Sequence, residues 1–279
     1  MTIRNLSGIS FEIILECFLK AFDNYFVELP TDKEYYKQRW KAAKVNFTYS
    51  YGMFEGEIMV GFILHALDKR KNRLIAFNTG TGVIPEYRGK RIVSSIYTHA
   101  LKDLKKKNIE MSVLEVITKN DIAIKTYENI GFVKCKEYKC YNGKIELNSI
   151  EDVELEELDL KDVDWNNLPN QELYSWDNQK ESLMQGNYRY FQLIYKTEAE
   201  SFFIINTEIN HLAQFDLLKS EDNGWLRLFN GIRKVSETIK INNVDNSLKE
   251  KQDVLVSIGL KNTVDQYEME LKIKDGNNL

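Results

Sequence analysis

The chain has 279 residues, 43% of them hydrophobic and 29% charged, with a net charge of -4. That length suits two cored domains, and that apolar content excludes a disordered polymer. The acidic balance (pI ≈ 5.6) argues against nucleic acid as the main partner, because phosphate binding needs a basic face.

In chain order, Ser10 caps an expected helix with an apolar stripe of Phe11, Ile14, Leu15, Phe18, Leu19 and Phe22. Thr31 and Glu34 have capping-box spacing and open a second helix through Tyr35, Tyr36 and Trp40. Residues 47–66 alternate like a hairpin turning at Glu55-Gly56-Glu57, and a further strand runs from about Leu74 to Val83. From Gly89 the period becomes helical, with Ile92, Ile96, Ala100 and Leu104 on one face. The lysines at 102 and 105–107 read as the solvated end of that helix. Met111 to Ile117 fits a buried strand. Asn120 caps a helix ended by Gly131, and a strand follows to about Tyr141. An acidic stretch of no clear period, residues 150–162, marks a boundary placed after residue 146.

The second half repeats this order. Two strands lie around a turn in 200–218, then a helix carries Trp225, Leu228, Phe229, Ile232 and Val235. A strand from Thr238 to Val244, a helix to Ile258, Gly259 and a last strand to Leu271 complete it. Ser220 to Gly224 stands where the first half has Pro85 to Gly89, and Leu255 precedes Gly259 by the interval at which Tyr127 precedes Gly131. The copy keeps a fold and lacks the chemistry, since Glu221 and Asp222 repel an anion at a helix start. An unrelated α+β domain is the alternative. Trp165, Tyr174, Trp176 and Tyr188 are expected to pack a domain interface, or else to line a pocket against the first domain.

Cys17, Cys135 and Cys140 are odd in number and lack metal-ligand spacing, so free thiols in a reducing, cytoplasmic setting are expected. The first residues have no signal-peptide core, and no run of about 18 apolar residues suggests a membrane span. Three scattered histidines, without HExxH, CxxC or GxSxG, leave metalloenzyme and hydrolase readings weak and no metal expected.

Chemistry concentrates in Val83-Ile84-Pro85-Glu86-Tyr87-Arg88-Gly89-Lys90-Arg91, between a strand and a helix. Such a junction presents unpaired backbone N–H groups and a positive helix end to one point, enough to hold a pyrophosphate. Gly89 permits close backbone approach, and Arg88, Lys90 and Arg91 add charge. Alone, a strand-turn-helix with Pro and Gly is more often a plain connection.

Taken jointly with the segment from Leu114 to Phe132, this junction makes the chain resemble the GNAT N-acetyltransferase superfamily over roughly residues 10–143. Val83, Pro85, Arg88 and Gly89 resemble its pyrophosphate-binding motif. Leu114-Glu115-Val116, then Asn120, Ala123, Tyr127 and Gly131-Phe132, resembles its second cofactor segment. Arg91 stands at the family's central glycine and Val93 at its last small residue. With ordinary helical φ/ψ, the Arg91 N–H still points at a phosphate; if the turn needs a bare backbone there, affinity falls unless the guanidinium offsets this by binding phosphate directly.

The resemblance implies an α+β fold: a mixed, mostly antiparallel splayed sheet flanked by helices, then a smaller GNAT-like domain. Residues 1–146 form the catalytic domain and 147–279 a degenerate copy. It implies acetyl-CoA as acyl donor, without a metal, and a primary amine of a small molecule or peptide that attacks the thioester directly in a ternary complex. Thr81, Gly82 and Val83 are then expected along the pantetheine arm, and Arg88, Gly89, Lys90, Arg91, Asn120, Ala123 and Tyr127 around the rest of the cofactor. Tyr127 is the expected acid for the leaving thiolate, with a core tyrosine as the alternative. Glu115 is the expected base, with a structural ion pair or solvent-facing position as the alternative. Asp23, Tyr25 and Glu28 fall where such proteins build the acceptor pocket. A CoA-binding protein without turnover and a pure interaction module remain competing readings, and a homodimer stays open.

Overall fold

The computed structural model describes residues 1–23, 26, 29–70, 72–147 and 152–273. In chain order the elements of the first half are β1 (Thr2–Asn5), α1 (Phe11–Ala21), α2 (Lys33–Ala42), β2 (Tyr51–Glu55), β3 (Ile58–Arg70), β4 (Arg73–Val83), α3 (Ile92–Lys106), β5 (Met111–Ile117), α4 (Asp121–Ile130) and β6 (Val133–Lys144). Then come β7 (Glu154–Leu158), α5 (Lys180–Leu183), β8 (Arg189–Tyr195), β9 (Glu198–Asn206), β10 (His211–Leu217), α6 (Gly224–Val235), β11 (Thr238–Asp245), α7 (Lys249–Ser257) and β12 (Lys261–Lys272). Among the described residues no helix is long and apolar enough to cross a membrane.

Ser10 caps α1 through its hydroxyl, which accepts the Ile13 N–H at 3.4 Å. The second helix starts one residue later than its spacing predicts. Asp32, not Thr31, is the cap, and its carboxylate accepts the Tyr35 N–H at 2.6 Å. A carboxylate makes the stronger, charge-assisted cap.

The chain divides into two units, Met1–Cys135 with Tyr267–Leu279, and Lys136–Gln266. The sequence places a single boundary after residue 146. Instead, Met269, flanked by Tyr267 and Leu271, serves the first core, while Tyr141 and Ile145 serve the second. Apolar alternation reports that a strand is covered, not which core covers it, so neither strand end announces this.

In the first unit the strand order is β1-β2-β3-β4-β5-β12. The registers of β1 to β4 are antiparallel, and β4 and β5 run parallel. Phe18, Trp40, Phe62, Tyr97, Tyr127 and Phe132 fill its core with α1 to α4. In the second unit the order is β6-β11-β10-β9-β8-β7, with β10 and β11 the parallel pair. The acidic stretch without clear period supplies β7, at the outer end of this order, where Leu155 and Leu158 pack inward and the glutamates blunt the edge. Trp165, Tyr174, Trp176 and Tyr188 belong to this unit's own interior. Trp165 and Tyr188 pack in its cores, the Tyr188 hydroxyl meets His211 Nδ1 at 2.8 Å, and Tyr174 bonds the Phe215 carbonyl.

The two units repeat residue by residue. The β3–β4 register shifts between Leu64↔Gly80 and His65↔Asn78, leaving Thr79 as a bulge; β9–β10 shifts between Ile204↔Gln214 and Ile205↔Leu212, leaving Ala213. Thr81 therefore corresponds to Phe215 and Asn78 to Leu212. Helices α3 and α6 both start from a left-handed cap, Arg91 (φ 55) and Asn223 (φ 60). Gly131 (φ 110) and Gly259 (φ 88) come after α4 and α7, so Tyr127 matches Leu255 and Ala123 matches Lys251. The caps shift one alignment read from the sequence: Glu221-Asp222-Asn223 stands opposite Gly89-Lys90-Arg91, and Gly224 opposite Ile92.

Candidate active site

The β4–β5 ladder pairs Ile75↔Met111 through Asn78↔Leu114 and stops there. Beyond it β4 continues as Thr79 to Val83 and β5 as Glu115 to Ile117 without a shared register. The Thr79 bulge turns β4 at the point where pairing ends, so the expected splay has a local cause.

Asn78 braces that turn. Its Oδ1 accepts the Gly80 N–H at 3.1 Å, and its Nδ2 donates to Thr81 Oγ1 at 2.7 Å and to the Tyr97 hydroxyl at 2.6 Å. Gly80 and Gly82 then admit α1. A Cβ on Gly80 meets the Phe18 ring at 3.2 Å, and one on Gly82 meets Ala21 Cβ and the Phe62 ring at 2.7 Å. Sequence reasoning overlooked Asn78 and this Gly-Thr-Gly run as positioning elements, although the alternate glycines were a visible signal.

After Val83 the chain makes a 3-10 turn over Pro85–Tyr87 and reaches Arg88. The Arg88 guanidinium donates to the Val83 carbonyl at 3.3 Å and to the Ala21 carbonyl at 3.1 Å. Its first role is to tie the end of α1 to the end of β4, where the sequence assigned it to an anion. Gly89 has φ +77, and a Cβ there meets nothing within 4 Å. Arg91 has φ 55 and ψ 26, a left-handed conformation, which is the case of a turn that favours a bare backbone rather than that of ordinary helical φ/ψ. The backbone keeps the shape natural to glycine although the residue is arginine. Lys90 and Arg91 are exposed, the Lys90 ammonium lying 4.2 Å from the Tyr87 ring centre. Helix α3 begins at Ile92 with no acidic side chain in its first turn, so its first N–H groups keep their positive end unopposed. Val93 packs against the first core.

On the other side of the splay, Asn120 caps α4 by accepting the Ala123 N–H at 3.2 Å, as the spacing predicts. One face down, Tyr127 is buried, its ring edge-on to Tyr97 at 6.1 Å and to Phe132 at 5.8 Å. Tyr97 thus links Tyr127 to the Asn78 brace. Burial, with Tyr127 nearby, holds the Tyr97 hydroxyl well above the ordinary phenol range, so it stays a neutral hydrogen-bonding group. Glu115 is half-buried, one residue past the last β4–β5 pair. Asp23 lies just past α1, whereas Tyr25 and Glu28 lie outside the described residues. No group of His, Cys, Asp and Glu able to hold a metal ion occurs among the described residues.

The geometry thus gathers Thr81, Gly82, Val83, Gly89 and the start of α3 along one side of the splay, and places Glu115, Asn120, Ala123 and Tyr127 on the β5–α4 side. Residues 12–132 match the model of the acetyltransferase (GNAT) family. No curated protein sequence matches the chain. Among solved structures, a tandem GNAT protein from the clavulanic acid biosynthesis pathway superposes over 99% of this chain and 100% of its own, at TM-score 0.70 and 10% identity. A GCN5-related N-acetyltransferase from Sphaerobacter thermophilus matches over 100% of this chain and 97% of its own (TM-score 0.67, 8% identity), and one from Anabaena variabilis over 98% and 73% (0.60, 14%). At such identities these likenesses speak for the fold, and here they extend over both units. Residues 12–132 thus carry the match to the GNAT family, and the two-part fold of a tandem GNAT protein extends over both units.

Proposed function

We propose that the first unit is an N-acetyltransferase that moves an acetyl group from acetyl-CoA to a primary amine of a small molecule or peptide, by direct attack in a ternary complex. The observation that carries this is the parting of β4 from β5 immediately after Asn78↔Leu114, beside the left-handed turn that opens α3. Strand backbone exposed by a splay suits an amide-bearing arm, and a helix start of this kind suits a pyrophosphate.

When bound, acetyl-CoA supplies an activated thioester carbonyl and a thiol leaving group. The backbone of Thr81, Gly82 and Val83 holds the arm, and the N–H groups from Gly89 into α3 hold the phosphates, with Lys90 and Arg91 adding charge at the rim. Arg88 contributes by fixing the turn. Asn120 and Ala123 set the start of α4 against the cofactor, which aims Tyr127 at the sulfur. A backbone N–H near Val83 stabilises negative charge as it grows on the carbonyl oxygen. Glu115, directly or through water, takes the proton that the acceptor ammonium must lose before attack. Tyr127 delivers one to the departing sulfur, because a phenol stays protonated at neutral pH. The second unit, with Glu221-Asp222 opposite Gly89-Lys90 and Leu255 opposite Tyr127, has no comparable role in chemistry.

A second reading is a CoA-binding protein without turnover, favoured by an Arg88 side chain already bonded to Val83 and Ala21. Free-thiol release from acetyl-CoA, measured against a panel of amines, separates the two. Amine-dependent release supports transfer, and binding without release supports the second reading. Gly89→Glu should weaken CoA binding by about 2 kcal/mol or more, through lost close approach and an added repulsive charge. Unchanged affinity in the folded variant puts the phosphates elsewhere.

A further inference from the structure

The shared register identifies which groups of the second unit stand where the first unit exposes its strand backbone. Thr81 corresponds to Phe215, Gly82 to Asp216, Glu115 to Asn242 and Ala123 to Lys251. In the second unit β10 and β11 share the single pair His211↔Lys240 and then part, so this unit has a splay of its own.

That splay is filled by the chain itself. The Tyr174 hydroxyl donates to the Phe215 carbonyl at 3.2 Å and accepts the Phe215 N–H at 3.4 Å. In an antiparallel ladder the N–H and C=O of one residue point to the same side, so both Phe215 groups face away from β9, into the splay. Lys251, almost wholly buried, donates to the same carbonyl at 2.7 Å and to the Asp216 carboxylate at 2.9 Å, which also accepts from Asn170 at 2.7 Å. Asn178 bridges the two strands. Its carbonyl accepts from Gln214 on β10 at 2.6 Å, and its side-chain amide donates to the Asn242 carbonyl on β11 at 2.8 Å. Gln171 adds a bond to Gln214 at 2.9 Å. The space left among Asn170, Tyr174, Phe215, Asn242, Asp245 and Lys251 is about 10 Å³, no more than one water.

We propose that the second unit's cleft is a closed site whose ligand is the chain's own segment 170–178, with Tyr174 and Lys251 holding the strand groups that the first unit offers to an acyl donor. The correspondence rests on the reading of Thr81 to Val83 as donor-binding; the closure itself rests only on the bonds made by Asn170, Gln171, Tyr174, Asn178 and Lys251. An unfilled splay leaves buried backbone groups unsatisfied, at a cost the first unit meets by binding and the second by an internal plug. A polar pair at Asp216 and Lys251, where the first unit has Gly82 and Ala123, closes the site to an anionic or amide-bearing visitor alike.

Amide hydrogen exchange with residue resolution on the full chain, with and without saturating CoA, tests this. The Phe215 amide should exchange slowly in both conditions, whereas the Thr81 and Val83 amides, which face away from β3, should slow when CoA is added. Tyr174→Phe should speed exchange at Phe215 about tenfold, the scale of one lost hydrogen bond, and leave Thr81 unaffected. Slowing at Phe215 to Leu217 by CoA, or no change at Phe215 in Tyr174→Phe, overturns the closure. If CoA slows neither strand while Tyr174→Phe still frees Phe215, the donor reading of the first unit fails and the closure stands.

Discussion

The Asn78 side-chain amide donates to the buried Tyr97 hydroxyl at 2.6 Å, and through this bond strand β4 is fixed to helix α3 at the point where the sheet opens. The second unit has Leu212 in the matching place and closes its splay by other means.

Asn78→Leu should therefore cost both stability and function. It leaves the Tyr97 hydroxyl and the Gly80 N–H short of a partner, a loss of about 1–3 kcal/mol in denaturant melts. The KM for acetyl-CoA should rise more than kcat falls, because the bulge positions strand groups and touches no reacting atom. An unchanged KM in a folded Asn78→Leu protein contradicts the bracing role.

Arg91 adopts a left-handed backbone that costs a non-glycine residue about 1–2 kcal/mol. Arg91→Gly relieves that strain and loses some ground to the freer unfolded chain. Its stability should match or exceed the parent by up to about 1 kcal/mol, while Arg91→Val should lose at least about 1 kcal/mol. Thermal melts of the two variants check this; the reverse order implies that the turn is helical in solution.

His65 gives a pH dependence with a defined sign. Its Nδ1–H donates to the Tyr49 carbonyl at 2.7 Å, and burial holds its pKa down to about 4 from an ordinary 6.5. The unfolded chain thus binds more protons between those values, so this contribution is full above about pH 6.5 and is lost as pH falls toward 4, by up to roughly 3 kcal/mol. Urea melts of parent and His65→Asn from pH 7 to 4 should diverge over that window, the parent losing more. Parallel curves mean that the ring does not titrate in isolation.

Much of this architecture was legible because each local signal had one physical reading. The stripe from Ile92 to Leu104 is helical, and Asn120 with Gly131 brackets α4 as capping chemistry requires. The bulge at Thr79 was not legible, since it exists only as a register between two strands. The engagement of Arg88 by Ala21 depends on a contact far along the chain, which charge alone cannot reveal. The same holds for Tyr174: its aromatic character announced burial, while its partner, the Phe215 backbone, was set by the repeat of the fold. The left-handed Arg91 defeats sequence reading for another reason, because arginine carries no preference for that shape and the flanking structure imposes it.

The central claim is that the first unit performs acyl transfer with Tyr127 protonating the sulfur, and single-turnover kinetics of Tyr127→Phe test it most directly. The substitution keeps the ring packed against Tyr97 and Phe132, so fold and CoA affinity should hold. With acetyl-CoA saturating, the transfer step should slow by roughly 100-fold or more, and kcat and kcat/KM should drop together where chemistry limits the rate. A folded Tyr127→Phe protein that binds CoA normally and transfers acetyl at the parent rate contradicts the account, and leaves Tyr127 a core residue and nothing more.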